Sequence, residues 1–182
     1  VQKAVRFVEG GQGAGGAWSY GRSWGEGWQG GFGGWPKTDT GRYHSMNTGP
    51  SLLSLLRARD LGLEVDPKVL ERGKEALLKM RDGAGTYTYT WPEPRNFNEP
   101  RLSIGRGPVC EQALFALGAT PKADLETALG NFMRWRLGLR GTVKLTGSWT
   151  PPSCSSAYFY FFAYYHAAEA LDLLKDAKSR QA

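Results

Sequence analysis

The sequence predicts an all-α protein made of antiparallel helical hairpins that stack side by side. Three observations predict it. Apolar residues recur at helical spacing in paired segments, a glycine followed by Pro-Lys separates the two members of a pair, and segments rich in glycine and aromatic residues join one pair to the next. The chain has 182 residues, enough for one domain with a sizeable core. We therefore expect a single domain over residues 1–182.

The first hairpin is predicted at about residues 50–81. Leucines between Leu52 and Leu61 give its first helix an apolar stripe, and residues 69–80 do the same for the second helix. Gly62 suits the position just after a helix end, where the backbone turns left-handed. Pro67 suits a first helical turn, because its fixed φ is already helical and its missing N–H would have no partner there.

The second hairpin is predicted at about residues 108–138 and repeats the same plan. Its helices carry apolar residues over 109–117 and 125–137, and Gly118 and Pro121 stand between them. At the chain ends, residues 2–9 are expected to be the end of another partner helix. Residues from about 156 to 178 are expected to form the final helix, for a total of six helices.

A long loop rich in glycine and tryptophan is predicted over residues 10–49. It has no GxxxxGK[ST] phosphate-binding pattern. The planar faces of Trp28 and Trp35 suit a glycan or a protein partner, so both are candidate ligand-binding residues. The alternative is that these aromatic side chains close one end of the helical array.

The final helix carries the second group of candidate ligand-binding residues. Tyr158, Phe161, Phe162 and Tyr165 recur at i, i+3, i+4 and i+7 and share one helical face. Such a face could form the aromatic wall of a cavity for an apolar ligand. The alternative is a core helix that partners enclose on most sides.

The two cysteines, Cys110 and Cys154, do not form a CxxC motif. They are either a disulfide pair or two buried thiols, and the sequence leaves both open. The spacing of the two histidines, the cysteines and the nearby carboxylates gives no metal-ligand pattern, so neither a metal nor a cofactor is expected.

The formal net charge of +6 comes from dispersed basic residues. A solvated surface is therefore expected rather than a specific nucleic-acid interface. The richest apolar run, residues 157–168, is too short to span a bilayer. We expect a soluble protein, and export to the periplasm or to the outside of the cell stays open.

Three segments resemble a known repeat. Gly15–Tyr20, Gly30–Trp35 and Asp82–Tyr87 are similar to the glycine-aromatic turns shared by squalene and hopene cyclases and the β-subunits of protein prenyltransferases. The aromatic final helix also resembles helices of these proteins. The resemblance implies a partial α/α-toroid, in which inner helices line an apolar cavity.

The catalytic motifs of these enzymes are missing from the matching positions. The cyclases carry a D-x-D-D motif, whereas Asp39 here stands as one carboxylate in Lys37–Gly41. The transferases bind zinc with D-x-C, whereas Pro108 stands two positions before Cys110. We therefore expect a non-catalytic accessory or structural domain that binds another protein chain, the missing half of the ring, or an apolar ligand such as a lipid or isoprenoid.

Two alternative functions stay open. The chain is a fragment of an isoprenoid cyclase or prenyltransferase whose catalytic half lies outside it, or it is a glycan-binding or glycan-processing α/α-barrel domain that uses its tryptophan-rich loop.

Overall fold

The structure, a computed structural model, describes residues 1–19, 41–92, 99–145 and 160–179, with the backbone alone at 138–145 and 176–179. Within this part of the chain there are seven helices and four short strands. The helices are α1 Gln2–Gly10, α2 Ser45–Asp60, α3 Pro67–Met80, α4 Pro100–Ser103, α5 Gly107–Ala116, α6 Lys122–Leu145 and α7 Tyr160–Ser179. The strands are β1 Tyr43–His44, β2 Arg81–Gly83, β3 Thr86–Tyr87 and β4 Thr90–Trp91.

The fold is predominantly helical, which confirms the all-α class. The short strands were not predicted; β1 pairs with β4, and β2 pairs with β3, both antiparallel. The closing of the ring into a toroid stays a prediction. No helix among the described residues is both long and apolar enough to cross a bilayer.

The two predicted hairpins are present, and both turn in the same way. Gly62 follows α2 with φ +81°, and Gly118 follows α5 with φ +67°. After α2, the N–H of Leu63 donates to the carbonyl of Ala58 at 3.0 Å; after α5, the N–H of Ala119 donates to the carbonyl of Leu114 at 2.9 Å. This bond pattern satisfies the last helical carbonyls. It needs a residue that adopts positive φ without strain, which glycine does because it has no Cβ.

The start of the first hairpin differs from the prediction. Helix α2 begins at Ser45, so Pro50 lies inside the helix and the predicted loop over residues 10–49 is wrong at its C-terminal end. The hairpin was predicted to begin at about residue 50, which would put Pro50 at its start, where proline is most favourable. In the structure Pro50 comes in the second turn, where its missing N–H removes one hydrogen bond from the helix.

The second helix of each hairpin begins with a different signal. Asp66 caps α3 by accepting a hydrogen bond from the N–H of Lys68 at 2.8 Å, and Pro67 occupies the first turn as expected. Helix α6 begins at Lys122, just after Pro121, and continues to Leu145, beyond the predicted end at 138.

Two apolar clusters form the core. The first joins α1, α2, α3 and α5 around Trp18, Leu52, Leu77 and Tyr87. The second joins α6 and α7 around Leu125, Phe132 and three alanines of α7. Helix α2 packs against both α3 and α5, and α5 packs against both α6 and α7. The hairpins therefore lie side by side, with α7 added after the second hairpin.

Candidate functional site

Two glycine-aromatic turns connect the elements, and both place a glycine with positive φ two residues before a buried aromatic side chain. We call residues 12–18 the first turn and residues 81–87 the second turn. Each has a glycine with positive φ, Gly16 at +82° and Gly85 at +71°. Two residues later each has a fully buried aromatic side chain, Trp18 or Tyr87.

Both glycines lie against a helix. A Cβ on Gly16 would lie 2.6 Å from the backbone oxygen of Arg72 in α3. A Cβ on Gly85 would lie 2.6 Å from the Cα of Ala128 in α6. Since a real Cβ almost never comes this close to backbone atoms, each turn can approach its helix only through glycine.

The second turn is held by a buried charged cluster. The Glu111 carboxylate is fully buried and accepts hydrogen bonds from the Arg81 guanidinium and from the Gly85 N–H, both at 2.8 Å. Arg81 also pairs with Asp124 at 2.6 Å, so one guanidinium connects α5 to α6. A buried carboxylate with these partners stabilises the turn, and losing one partner would leave a charge without compensation.

Other buried polar groups complete this cluster. Arg106 donates to the carbonyl of Tyr87 at 2.6 Å, and the Ser103 hydroxyl accepts from the Tyr87 N–H at 2.9 Å. Burial raises the pKa of Tyr87 well above its ordinary value, and the nearby Cys110 and Glu111 raise it further. At neutral pH the Tyr87 side chain is therefore an uncharged phenol.

Cys110 is a fully buried free thiol. Its Sγ lies 3.4 Å from the carbonyl of Ser45, and burial raises its pKa above the ordinary value of a thiol. Of the two states that the sequence left open, the structure has the buried thiol at this position. Cys154 lies outside the described residues. A thiol in this environment is a poor nucleophile, because the thiolate is the reactive form.

The first turn uses neutral groups in the same places. Gln12 donates from its amide nitrogen to the carbonyls of Gly16 and Val69, both at 2.8 Å. The indole N–H of Trp18 donates to the carbonyl of Val8 in α1 at 2.7 Å. The two turns therefore share the positive-φ glycine and the buried aromatic residue and differ in the charge of their anchors.

A second polar cluster attaches α7 to α2. Arg57 of α2 pairs with Glu169 of α7 at 2.6 Å, and the other oxygen of Glu169 lies 2.9 Å from Nδ1 of His166. His166 is only 7% exposed. Its ring centroid lies 4.4 Å from that of Phe162 and 5.0 Å from that of Tyr165.

The two sides of α7 differ from the expectation. Its buried side consists of Ala163, Ala167, Ala170 and Leu174. Phe161 and Tyr165 are 85% and 56% exposed, so the expectation that partners enclose this helix on most sides is wrong for the face that carries them. Alanines let α7 approach its neighbours closely, which turns the aromatic face outward. Contact of these aromatic side chains with a ligand stays a prediction.

Helices α6 and α7 carry more of the large exposed apolar side chains than the other described helices do. We call this set of six side chains the C-terminal surface: Met133, Trp135, Leu137, Phe161, Tyr165 and Leu171. Beside it, Phe162 is half-buried and packs against the first core cluster. Phe132 and Tyr164 make an edge-to-face contact at 5.0 Å between the two helices.

Three of the predicted site residues lie outside the described residues: Trp28, Trp35 and Tyr158. Among the described residues, no group of three or more histidine, cysteine, aspartate or glutamate side chains is placed to hold a metal ion. Burial lowers the pKa of His44 to about 4, with help from Arg42, so this histidine is neutral at physiological pH.

The buried charged cluster and the α2–α7 cluster were not predicted from the sequence. One sequence signal does mark the place of the first cluster, because Gly-Pro recurs at Gly49–Pro50 and Gly107–Pro108, early in α2 and α5. A Cβ on Gly107 would lie 2.4 Å from the carbonyl oxygen of Gly85, so this glycine sets the distance between α5 and the second turn. No sequence spacing marks the pair Arg57–Glu169.

No known family, curated protein or solved structure shows significant similarity to this chain. The function is therefore argued from the geometry of the chain itself.

Proposed function

We propose that this chain is a non-catalytic helical-repeat domain, similar in type to prenyltransferase and squalene-cyclase repeats, that acts by binding a partner protein. The partner we propose is a second copy of the chain, joined through the C-terminal surface. The observation that carries this proposal is the concentration of large exposed apolar side chains on α6 and α7.

The apolar side of α6 continues beyond its own partners. Leu125, Leu129 and Phe132 are buried, and Trp135 follows three residues later on the same side, where it is 39% exposed. Helix α5 has 10 residues, whereas α6 has 24, so α6 extends well past it. Trp and Met are enriched in the centres of protein interfaces, where they fill pockets of the partner.

A second copy suits this surface because of how repeats stack. Each hairpin buries its apolar side only against its neighbours, so an array of hairpins leaves apolar residues at its ends. In α1, the first helix along the chain, Phe7 is 54% exposed. In a head-to-tail dimer, α1 of one protomer meets the C-terminal surface of the other, and two such contacts close a ring.

Sedimentation velocity over a range of concentrations tests this proposal. We expect a species of twice the 20.0 kDa chain mass that dissociates on dilution. Phe161→Ser should weaken the dimer by about tenfold or more, because an exposed aromatic residue at an interface typically contributes more than 1 kcal/mol. Leu78→Ser is the control, since Leu78 is a 39% exposed leucine of α3, a helix that carries none of the six side chains of the C-terminal surface.

A chain that stays monomeric at all concentrations would contradict the proposal, as would equal dimerisation of the Phe161→Ser variant. Mass spectrometry of an organic extract from the same purified protein tests the alternative of an apolar ligand. A co-purifying isoprenoid together with a monomeric protein would favour that alternative over the dimer.

A further inference from the structure

The fully buried apolar side chains of α7 are small, since they are three alanines and one leucine. Phe162 packs against the first core cluster, and Tyr160, Tyr164 and Leu173 pack against the second, each of them only partly buried. An alanine buries less apolar surface than a leucine would at the same place. Polar contacts therefore contribute to the attachment of α7 beside these apolar ones.

The polar contact between α7 and α2 is electrically balanced. Arg57 and Glu169 carry one positive and one negative charge, and His166 completes the cluster as a neutral ring. The titratable groups that act on His166 are Arg57 from α2 and Glu169 from α7, and Tyr165 of α7 in turn bonds to both of them. Within the described part of the chain, α5 and α6 add none. A proton on His166 would thus leave a net positive charge in a cluster whose histidine is nearly buried and whose arginine is partly open to solvent.

We propose that Arg57, Glu169 and His166 form a pH-sensitive latch that holds α7 against the hairpins near neutral pH and releases it under mild acid. Release uncovers the apolar residues of α6 that α7 packs against, Leu125, Leu129 and Phe132. This inference does not rest on dimerisation, because the latch lies within one chain.

The direction of the pH effect follows from which state binds the proton. Burial lowers the pKa of His166 below its ordinary value of about 6.5, although Glu169 raises it in part. The released helix therefore takes up a proton at a higher pH than the docked helix does. The docking free energy is complete above the ordinary pKa and is lost as the pH falls from there toward the lowered one.

Glu169 acts in a lower pH range. Although burial raises its pKa, the hydrogen bonds from Arg57 and Tyr165 more than offset this, and the net pKa is lowered. The docking energy from this carboxylate is present above its ordinary pKa and is lost below about pH 4.5. Mild acid therefore tests His166 without protonating Glu169.

Amide hydrogen exchange of the purified chain at several pH values tests the latch. After correction for the intrinsic exchange rate, we expect the protection of α7 to fall about tenfold between about pH 7 and about pH 5. The largest fall that protonation of one histidine can cause over this range is about 25-fold. Because burial lowers the pKa of His44 as well, the comparison between helices uses His44→Asn, in which the amides of α2 and α5 should keep their protection over the same range. In that variant an unchanged α7, or an equal loss in all three helices, would overturn the proposal.

The chain has two histidines, which gives a matched pair of variants. His166→Asn keeps a donor toward Glu169 but gains no proton in this range, so its α7 protection should not change with pH. His44→Asn should respond as the wild type does. A pH response that persists in His166→Asn would contradict the latch.

If His166→Asn fails to fold, NMR titration of the wild-type chain still decides. We expect the His166 ring to titrate together with the α7 amide signals and below the ordinary value for histidine. Titration of this ring at its ordinary value, or independently of the α7 amides, would overturn the proposal.

Discussion

The first turn and the second turn have the same glycine and aromatic spacing, yet different chemistry holds each one in place. Both use a glycine with positive φ against a helix and a buried aromatic side chain two residues later. Gln12 anchors the first turn with neutral hydrogen bonds to backbone carbonyls. Arg81 anchors the second turn through a fully buried carboxylate, Glu111.

The comparison shows that the glycine and aromatic residues of a turn can stay the same while the side chain that stabilises the turn changes. The glycine and the aromatic residue specify the shape, because they decide which conformation is allowed and which side chain enters the core. The anchor decides how much of the free energy of unfolding depends on one side chain. The hydrogen bonds of a neutral amide make a modest net contribution to it. In a buried ion pair, loss of one partner leaves the charge of the other uncompensated.

Removal of the two anchors should give the largest contrast. Arg81→Ala leaves the fully buried Glu111 carboxylate without the guanidinium that pairs with it, so we expect a loss of about 3–5 kcal/mol in the free energy of unfolding. Gln12→Ala should lose only about 1–2 kcal/mol. Urea denaturation measures both values, and equal losses would show that the charged anchor has no special weight.

Substitution by alanine should also cost different amounts of stability at two glycines that both have positive φ. A Cβ on Gly85 would lie 2.6 Å from Ala128, whereas a Cβ on Gly62 would meet nothing within 4 Å. Gly62→Ala should therefore cost only the backbone strain of positive φ, about 1 kcal/mol, and Gly85→Ala about 2–3 kcal/mol more. Thermal unfolding of the two variants measures this difference, and equal melting temperatures would contradict the close approach.

The buried aromatic residues give a smaller contrast. Trp18→Phe removes the indole N–H that donates to Val8 and leaves a small cavity, so we expect a loss of about 2 kcal/mol. The Tyr87 hydroxyl lies near Glu111 but makes no hydrogen bond of good geometry, so Tyr87→Phe should cost less than about 1 kcal/mol. A larger loss in Tyr87→Phe would mean that this hydroxyl does anchor the second turn.

The local signals in the sequence predicted the hairpins well. Gly62 and Gly118 end helices as expected, and Pro67 begins one, because these residues act through their own backbone conformation. Pro50 was the exception. A proline in the second turn and one in the first turn look alike in sequence, and only the packing of residues 45–49 decides between them.

The candidate sites were harder to predict, because they depend on distant partners. Glu111 is paired with Arg81, thirty residues earlier, and no periodic pattern connects them. The face of α7 was ambiguous for a similar reason. Phe161 and Tyr165 were assigned inward on hydrophobicity, whereas the structure turns Ala163 inward, since closeness of the helices favours the small residue.

The central claim is that the two hairpins pack directly against each other, and one pair of variants tests it most directly. Gly49 and Gly130 both lie inside helices, where alanine is intrinsically better by about 1 kcal/mol. A Cβ on Gly49 would lie 3.0 Å from Sγ and 3.2 Å from Cα of Cys110, whereas a Cβ on Gly130 would meet nothing within 4 Å. The free energy of unfolding should therefore fall by about 1–2 kcal/mol in Gly49→Ala and rise by up to about 1 kcal/mol in Gly130→Ala. A rise in both variants would show that α2 and α5 do not meet at Gly49 and would contradict the stacked arrangement.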